Sequence, residues 1–206
     1  MSVIKKFTTI SIFLIIAVAV VVSGYIMNLK SGISENLLRL HVVGASNSAT
    51  DQALKLAVRG RILADFSEEF SHCNSAKEAT KCASALKSQI EESALSELSA
   101  LGCNAPVTAT VENCKFPTKT YGNIALPGGS YTALNVKIGD AKSKNWWCVM
   151  YPPLCITDKS IVMSESSQQL LKSSLSEDEY LLISESNRPD IKIKFRIAEI
   201  LGEIFE

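Results

Sequence analysis

Residues 145–155 read Asn-Trp-Trp-Cys-Val-Met-Tyr-Pro-Pro-Leu-Cys, so two adjacent tryptophans precede a Pro-Pro turn that lies between two cysteines. Each tryptophan has a large apolar ring and an indole N–H that needs a partner when it is buried. Neighbouring side chains on a strand point to opposite faces of the sheet. The stretch therefore predicts a strand in which one of Trp146 and Trp147 enters the core and the other faces solvent or a second protein. A simpler alternative, core packing followed by a turn, stays open.

The chain has six cysteines, and only Cys148 and Cys155, on either side of the Pro-Pro turn, form a plausible disulfide pair. The alternative is that both are buried thiols. No CxxC pair is present, so the spacing favours neither a zinc site nor a full disulfide framework. We therefore predict no metal ligands.

The N-terminal segment has the composition of a membrane-crossing helix. Residues 7–26 contain no charge and follow Lys5 and Lys6. At ~1.5 Å per residue, such a run reaches the ~30 Å thickness of a bilayer core. The two lysines favour a cytoplasmic N-terminus, so the chain beyond Lys30 is predicted to be exported. Small residues at 21–23 or 22–24 also suit signal-peptide cleavage. We divide the chain into residues 1–30, a signal peptide or membrane anchor, and residues 31–206, an exported domain.

Hydrophobic periodicity predicts a strand at residues 38–43 and then two long helices. The first helix begins with capping residues at 47–51. The second begins near Ser75 and ends at Gly102. The predicted buried positions are Leu54, Val58, Ile62, Phe66 and Phe70 in the first helix, and Ala79, Cys82, Leu86, Ile90, Leu95 and Leu98 in the second.

The second half of the chain has the two-residue period of strands. Alternation at 107–111 and 134–138 predicts two strands, separated by a long connection at 116–129. The second of these is expected to form a hairpin with the tryptophan strand. Further helices are predicted at 164–171 and from Ser176, followed by a strand at 191–195 and a helical C-terminus.

These elements predict an α+β fold. We expect one exported domain with a mixed or antiparallel sheet of about four to five strands and helices packed on one face. An N-terminal hydrophobic helix precedes it.

The bulk composition excludes several classes of function. The chain has 21 basic and 21 acidic residues, so nothing in its net charge favours nucleic acid as a partner. No glycine-rich phosphate-binding loop and no GxSxG motif is present. We predict no cofactor.

Catalytic chemistry has one candidate, a Cys–His pair formed by Cys148 or Cys155 with His41. A strand histidine is more typical of a hydrogen-bonded structural residue, and no third, orienting group can be named. We therefore predict no catalytic residues. A Thr- and Gly-rich loop at 118–122 contains Lys119 and Tyr121, and such loops often bind partners. The predicted partner-binding residues are Trp146, Trp147, Lys119 and Tyr121.

Three segments of the chain resemble one known family. Leu-Arg-Leu-His-Val-Val at 38–43 with the residues up to 59, Phe-Pro-Thr-Lys-Thr-Tyr-Gly at 116–122 with the residues up to 134, and the stretch at 145–155 are similar to motifs of the stage II sporulation protein R family. The motifs stand in the same order and at compatible spacing.

The resemblance implies a signalling protein without catalytic residues of its own. Such a protein is made in the forespore, is exported to the intermembrane space, and stays secreted or anchored through residues 7–26. There it activates a membrane-embedded aspartic protease of the mother cell septal membrane, which then cleaves pro-sigma-E. Two alternatives stay open: an extracytoplasmic cysteine-dependent hydrolase, and a membrane-anchored structural protein of the envelope.

Overall fold

A computed structural model describes residues 2–154 and 165–184, and it confirms the predicted α+β class. Five helices and six strands are present in this part of the chain. In chain order they are α1 (Ser2–Glu35), β1 (Leu38–Val43), α2 (Ala49–Ser71), α3 (Ala76–Ala100), β2 (Val107–Phe116), β3 (Lys119–Tyr121), β4 (Ile124–Leu126), β5 (Gly129–Ile138), β6 (Asn145–Tyr151), α4 (Glu165–Ser174) and α5 (Glu177–Ser184).

Four strands form a mixed sheet in the order β2-β5-β1-β6. β1 runs parallel to β5 and antiparallel to β6, and β2 is antiparallel to β5. The predicted β5–β6 hairpin is wrong, because β1 lies between these two strands. Leu38, Leu40 and Val42 of β1 are completely buried. A central position between β5 and β6 stabilises such a strand, because it keeps these apolar side chains away from water.

The two long helices begin where the capping residues predict. The side chains of Ser48 and Ser75 accept hydrogen bonds from the backbone N–H groups of Asp51 and Glu78. These bonds satisfy donors that the first turn of a helix leaves free. The expectation that Leu95 is buried is wrong, since its side chain is 42% exposed. The buried stripe of α3 passes through its neighbour Ala94 instead.

The main core lies between one face of the sheet and helices α2 and α3, as the sequence predicts. We call this side of the sheet the helix face. Alternate residues of all four strands contribute to it, and the predicted stripe of α2 packs against them. Its largest apolar members are Leu38, Leu40, Val42, Val58, Ile62, Leu63, Phe66, Phe70, Ile90, Leu98, Leu134, Val136, Ile138, Met150 and Tyr151.

The opposite side of the sheet, which we call the second face, carries a smaller core. Strands β3 and β4 pair with each other in a separate two-stranded sheet and contribute Tyr121, Ile124 and Leu126 to this core. Residues 116–129, predicted as a connection, therefore contain two strands, each only three residues long. Side chains from α1, α4 and α5 also join this core, so helices contact both faces.

Helix α1 is one continuous helix of 34 residues that joins the apolar N-terminus to the domain. Residues 6–22 are exposed along their whole length, and the most apolar window has a mean hydropathy of 2.7, enough to cross a membrane by length and composition. Near its end, the completely buried Ile33 belongs to the second-face core. The Tyr25 hydroxyl donates to Asp178 of α5 at 2.6 Å.

Helices α4 and α5 confirm the two predicted helical segments after residue 164. The predicted strand at 191–195 and the helical C-terminus lie outside the described residues.

If α1 is part of the domain, shortening Ile33 should destabilise the whole fold. Ile33→Ala removes a completely buried side chain and is expected to lower the free energy of unfolding by about 2–4 kcal/mol. Val20→Ala is the matched control, because Val20 is 62% exposed and lies in the apolar part of the same helix. Thermal unfolding of the full chain in detergent measures both. Equal melting temperatures for the two variants would contradict the packing of α1 into the domain.

Candidate functional site

Arg39 is the most unusual residue of the second face, because it is a completely buried cation. Its Nε donates to the carbonyl oxygen of Cys148 at 2.7 Å, and its Nη2 donates to the hydroxyl of Tyr121 at 2.9 Å. Within the described residues, no carboxylate lies at ion-pair distance from the guanidinium. Neutral oxygen atoms therefore provide all of its hydrogen-bond acceptors.

Aromatic rings surround the rest of the Arg39 guanidinium. Its central carbon lies 4.2 Å from the ring centroid of Phe116 and 4.9 Å from that of Tyr131. A desolvated cation–π contact of this kind is worth about 2 kcal/mol or more, which offsets part of the cost of burial. Burial lowers the pKa of Arg39 and raises the pKa of Tyr131 to about 12. The hydroxyl of Tyr131 donates to the carbonyl oxygen of Pro127 at 2.6 Å.

Trp147 and His41 form a stacked pair next to this cluster. Their ring centroids are 4.1 Å apart with an interplanar angle of 14°, and Phe116 lies 4.5 Å from the Trp147 ring. The carbonyl oxygen of Trp147 accepts a hydrogen bond from the Tyr121 hydroxyl at 3.1 Å. Burial lowers the pKa of His41, so its imidazole is predominantly neutral near pH 7.

Trp146 lies on the helix face, opposite Trp147, as strand alternation predicts. The guanidinium of Arg59 from α2 lies 4.7 Å from its ring centroid, and the ring packs against the main core. Both tryptophans are half-buried, so burial alone does not separate a core ring from a partner-facing ring. The assignment of either one to partner binding stays a prediction.

The other two predicted partner-binding residues differ in their exposure. Lys119 is exposed at the start of β3. Tyr121 is 8% exposed, and its hydroxyl already bonds Arg39 and the Trp147 carbonyl. The side chain of Tyr121 therefore holds the hairpin against the sheet, and its role in partner binding stays a prediction.

The cysteines provide no support for Cys–His chemistry at Cys148. Cys148 is disulfide-bonded, whereas Cys73, Cys82, Cys103 and Cys114 are free. Cys155 lies outside the described residues, so its pairing with Cys148 stays a prediction. Cys148 pairs with Leu40 and points to the helix face, whereas His41 lies on the second face. The sheet therefore separates these two side chains.

A metal site also lacks support in residues 2–154 and 165–184, where no group of three His, Cys, Asp or Glu residues could hold a metal ion.

Arg39, the centre of the site, is not among the residues predicted from the sequence. One signal was available, since Arg39 and His41 alternate with Leu38, Leu40 and Val42 on a strand. This alternation places a cation and an imidazole together on the face that the apolar residues do not use. The burial of that face depends on β3, which periodicity did not detect.

Residues from all three sequence segments that carry the family resemblance meet in this cluster: Arg39 and His41 from the first, Phe116 and Tyr121 from the second, and Trp147 from the third. The family model described as stage II sporulation protein R matches residues 34–161, more than half of the chain. The chain belongs to this family.

A relative from Bacillus subtilis (strain 168), "Stage II sporulation protein R", is 26% identical over 186 residues, covering 84% of this chain and 83% of the relative. No solved structure matches the chain significantly. Membership of the family supports a role in sporulation signalling.

Removing the Tyr121 hydroxyl tests the Arg39 cluster. Tyr121→Phe leaves the ring in place but removes the acceptor of Arg39 Nη2 and the donor to the Trp147 carbonyl. Because one of these partners is a buried charge, we expect a loss of about 1.5–3 kcal/mol in the free energy of unfolding. Tyr180→Phe is the control, since that ring is partly exposed and Lys172 contacts it without a tyrosine hydrogen bond. Chemical denaturation measures both, and equal stabilities would contradict the cluster.

The disulfide prediction is tested by mass spectrometry of protein purified from the exported fraction without reductant. A peptide in which Cys148 is linked to Cys155 is expected. The four free cysteines should be alkylated after denaturation and serve as the internal control. Alkylation of Cys148 in the unreduced sample would show that the disulfide is absent.

Proposed function

We propose that this protein is an exported sporulation signal that activates a membrane-embedded aspartic protease of the mother cell septal membrane. The activated protease then cleaves pro-sigma-E. The family match over residues 34–161 carries this proposal, because it supports the signalling role. The protease and its substrate come from the family resemblance of the sequence motifs.

Two features of the fold support action at a membrane. An apolar segment of membrane-crossing length lies at the N-terminus. The same helix ends inside the second-face core, so few residues separate the apolar segment from the domain. A partner embedded in a facing membrane is then within reach of a domain that stands close to its own membrane, whether or not the apolar segment is later removed.

The geometry favours a ligand over a hydrolase. Cys148 is disulfide-bonded and lies on the other side of the sheet from His41. The second face instead combines a rigid Arg39 cluster with the half-buried ring of Trp147. Such aromatic side chains on a fixed support often contribute a large share of binding energy in protein interfaces.

The proposal is tested by producing the full chain, the protease and pro-sigma-E together in a bacterium that does not sporulate. Immunoblotting should show shortened sigma factor only when all three are present. A version without residues 1–24 stays in the cytoplasm and is the control for export. A protease whose catalytic aspartates are replaced is the control for cleavage. Equal processing with the cytoplasmic version would contradict the proposal, and no processing with the full set would favour a structural role in the envelope.

The two tryptophans should separate stability from signalling in the same assay. Because both rings are half-buried, each change to alanine is expected to lower the free energy of unfolding by about 1–3 kcal/mol, less than a fully buried tryptophan. Only Trp147→Ala should also reduce processing at equal amounts of folded protein, by tenfold or more, since interface tryptophans often contribute at least about 2 kcal/mol. Trp146→Ala is the matched control. If Trp146→Ala reduces processing more strongly, the partner-facing side of the sheet is the helix face.

A further inference from the structure

One row of polar side chains crosses three strands of the second face without completing its hydrogen bonds. Thr110 of β2 lies opposite Asn135 of β5, which lies opposite His41 of β1. Thr110 Oγ1, Asn135 Oδ1 and both ring nitrogens of His41 are buried and lack a hydrogen-bond partner. In folded proteins such atoms are nearly always paired, because an unpaired one costs free energy. We refer to these three residues as the polar row.

The unpaired atoms are concentrated on this side of the molecule. In the described part of the chain, seven buried side-chain nitrogen and oxygen atoms have no hydrogen-bond partner, and Arg39 together with the polar row accounts for five of them. Asn135 is only 3% exposed, and its Nδ2 already donates to the Glu112 carboxylate. Its free Oδ1 therefore needs an external donor. A further molecule bound to the second face would supply the missing hydrogen-bond partners.

An exposed ion pair lies at the rim of the polar row. Lys137 Nζ and Glu112 Oε1 are 3.5 Å apart, and their side chains are 44% and 41% exposed. Exposed ion pairs of this kind contribute little to stability, so the Lys137 side chain rotates away at low cost, whereas Glu112 keeps its hydrogen bond from Asn135 Nδ2. At its other end, His41 stacks on Trp147, which adds apolar surface next to the polar atoms.

The free atoms specify the chemistry of the ligand. A neutral imidazole offers one donor and one acceptor, the threonine hydroxyl can act as either, and Asn135 Oδ1 accepts. The two rim charges are opposite in sign and pair with each other. A peptide amide matches this set, since it is neutral and has one donor and one acceptor.

The spacing of the row also fits an extended peptide. Neighbouring strands are ~4.8 Å apart, and an extended chain rises ~3.3 Å per residue, so three strands span about three residues. We infer that the polar row binds main-chain amide groups of an extended segment of the partner protein, with Trp147 against one of its side chains. This inference deepens the proposed function and rests on it for its signalling readout.

Two substitutions remove the unpaired atoms while keeping the shape of the side chains. Thr110→Val replaces the hydroxyl by a methyl group, and His41→Phe keeps a ring that stacks on Trp147. Neither Thr110 Oγ1 nor the His41 ring makes a hydrogen bond of standard geometry, so the melting temperature of each variant should stay close to that of the wild type or rise. Processing of pro-sigma-E should fall about three- to tenfold, the equivalent of one lost hydrogen bond of up to about 1.4 kcal/mol. Thr132→Val is the control on the helix face; it removes only an exposed hydrogen bond of 3.3 Å to Asn113 Oδ1, and it should process normally.

A second measurement does not depend on the protease. The full chain in detergent micelles is titrated with N-methylacetamide, and NMR follows the side-chain signals of Asn135 and His41. Saturable shifts are expected that weaken in Thr110→Val. N,N-dimethylacetamide, which lacks the N–H donor, should produce smaller shifts.

The outcomes distinguish the inference from the proposed function. If the wild-type chain causes no processing, the proposed function fails, and the titration alone decides the polar row. If the wild-type chain is active but both variants are equally active, the polar row is not the binding site. A fall in the melting temperature of Thr110→Val would show that the hydroxyl already has a partner, such as a bound water, and would also overturn the inference. Absence of saturable shifts in the wild type would do the same.

Discussion

The burial of the Arg39 charge without a carboxylate is the constraint on which the arrangement of the second face depends. A guanidinium removed from water loses a large solvation energy, and here only neutral oxygens and ring faces replace it. These groups come from five strands: Arg39 itself from β1, Phe116 from β2, Tyr121 from β3, Tyr131 from β5 and the Cys148 carbonyl from β6. The charge is tolerated only when all five are in place, so the small hairpin must lie against the sheet.

The same cluster links the membrane segment to the surface that we assign to recognition. Ile33 at the end of α1, Tyr121 of the hairpin and Trp147 belong to one continuous second-face core. A closely packed core transmits displacement because it has little free volume. The orientation of Trp147 is therefore fixed relative to the helix that enters the domain.

The sequence predicted what depends on local pattern and missed what depends on long-range pairing. Capping residues and four-residue periodicity located α2 and α3, because both signals lie within a few residues of each helix end or turn. Residues 139–145 gave no sign that β1 lies between β5 and β6, since a strand order is decided by contacts distant in the sequence. Strands β3 and β4 are three residues long, too short for alternation to be detected. Because β3 and β4 were not detected, Tyr121 was assigned to a surface loop. Nothing in the sequence then indicated that a hairpin covers Arg39.

The two faces of the sheet also differ in how many of their buried polar atoms lack a hydrogen-bond partner. On the helix face, the strands pack against two long helices whose buried positions are almost entirely apolar. On the second face, the polar atoms around His41 and Asn135 keep unused hydrogen-bonding capacity inside a folded domain. A domain optimised for its own stability would replace such atoms by apolar groups of the same shape, a change that is often neutral or stabilising. Their presence is explained if a second molecule supplies the missing partners, because the free energy lost in the free protein is then recovered in the complex. Stability and recognition would thus make opposite demands on adjacent rows of one sheet: the protein itself supplies most of the partners of Arg39, and the row that contains His41 keeps more of its hydrogen-bonding capacity unused.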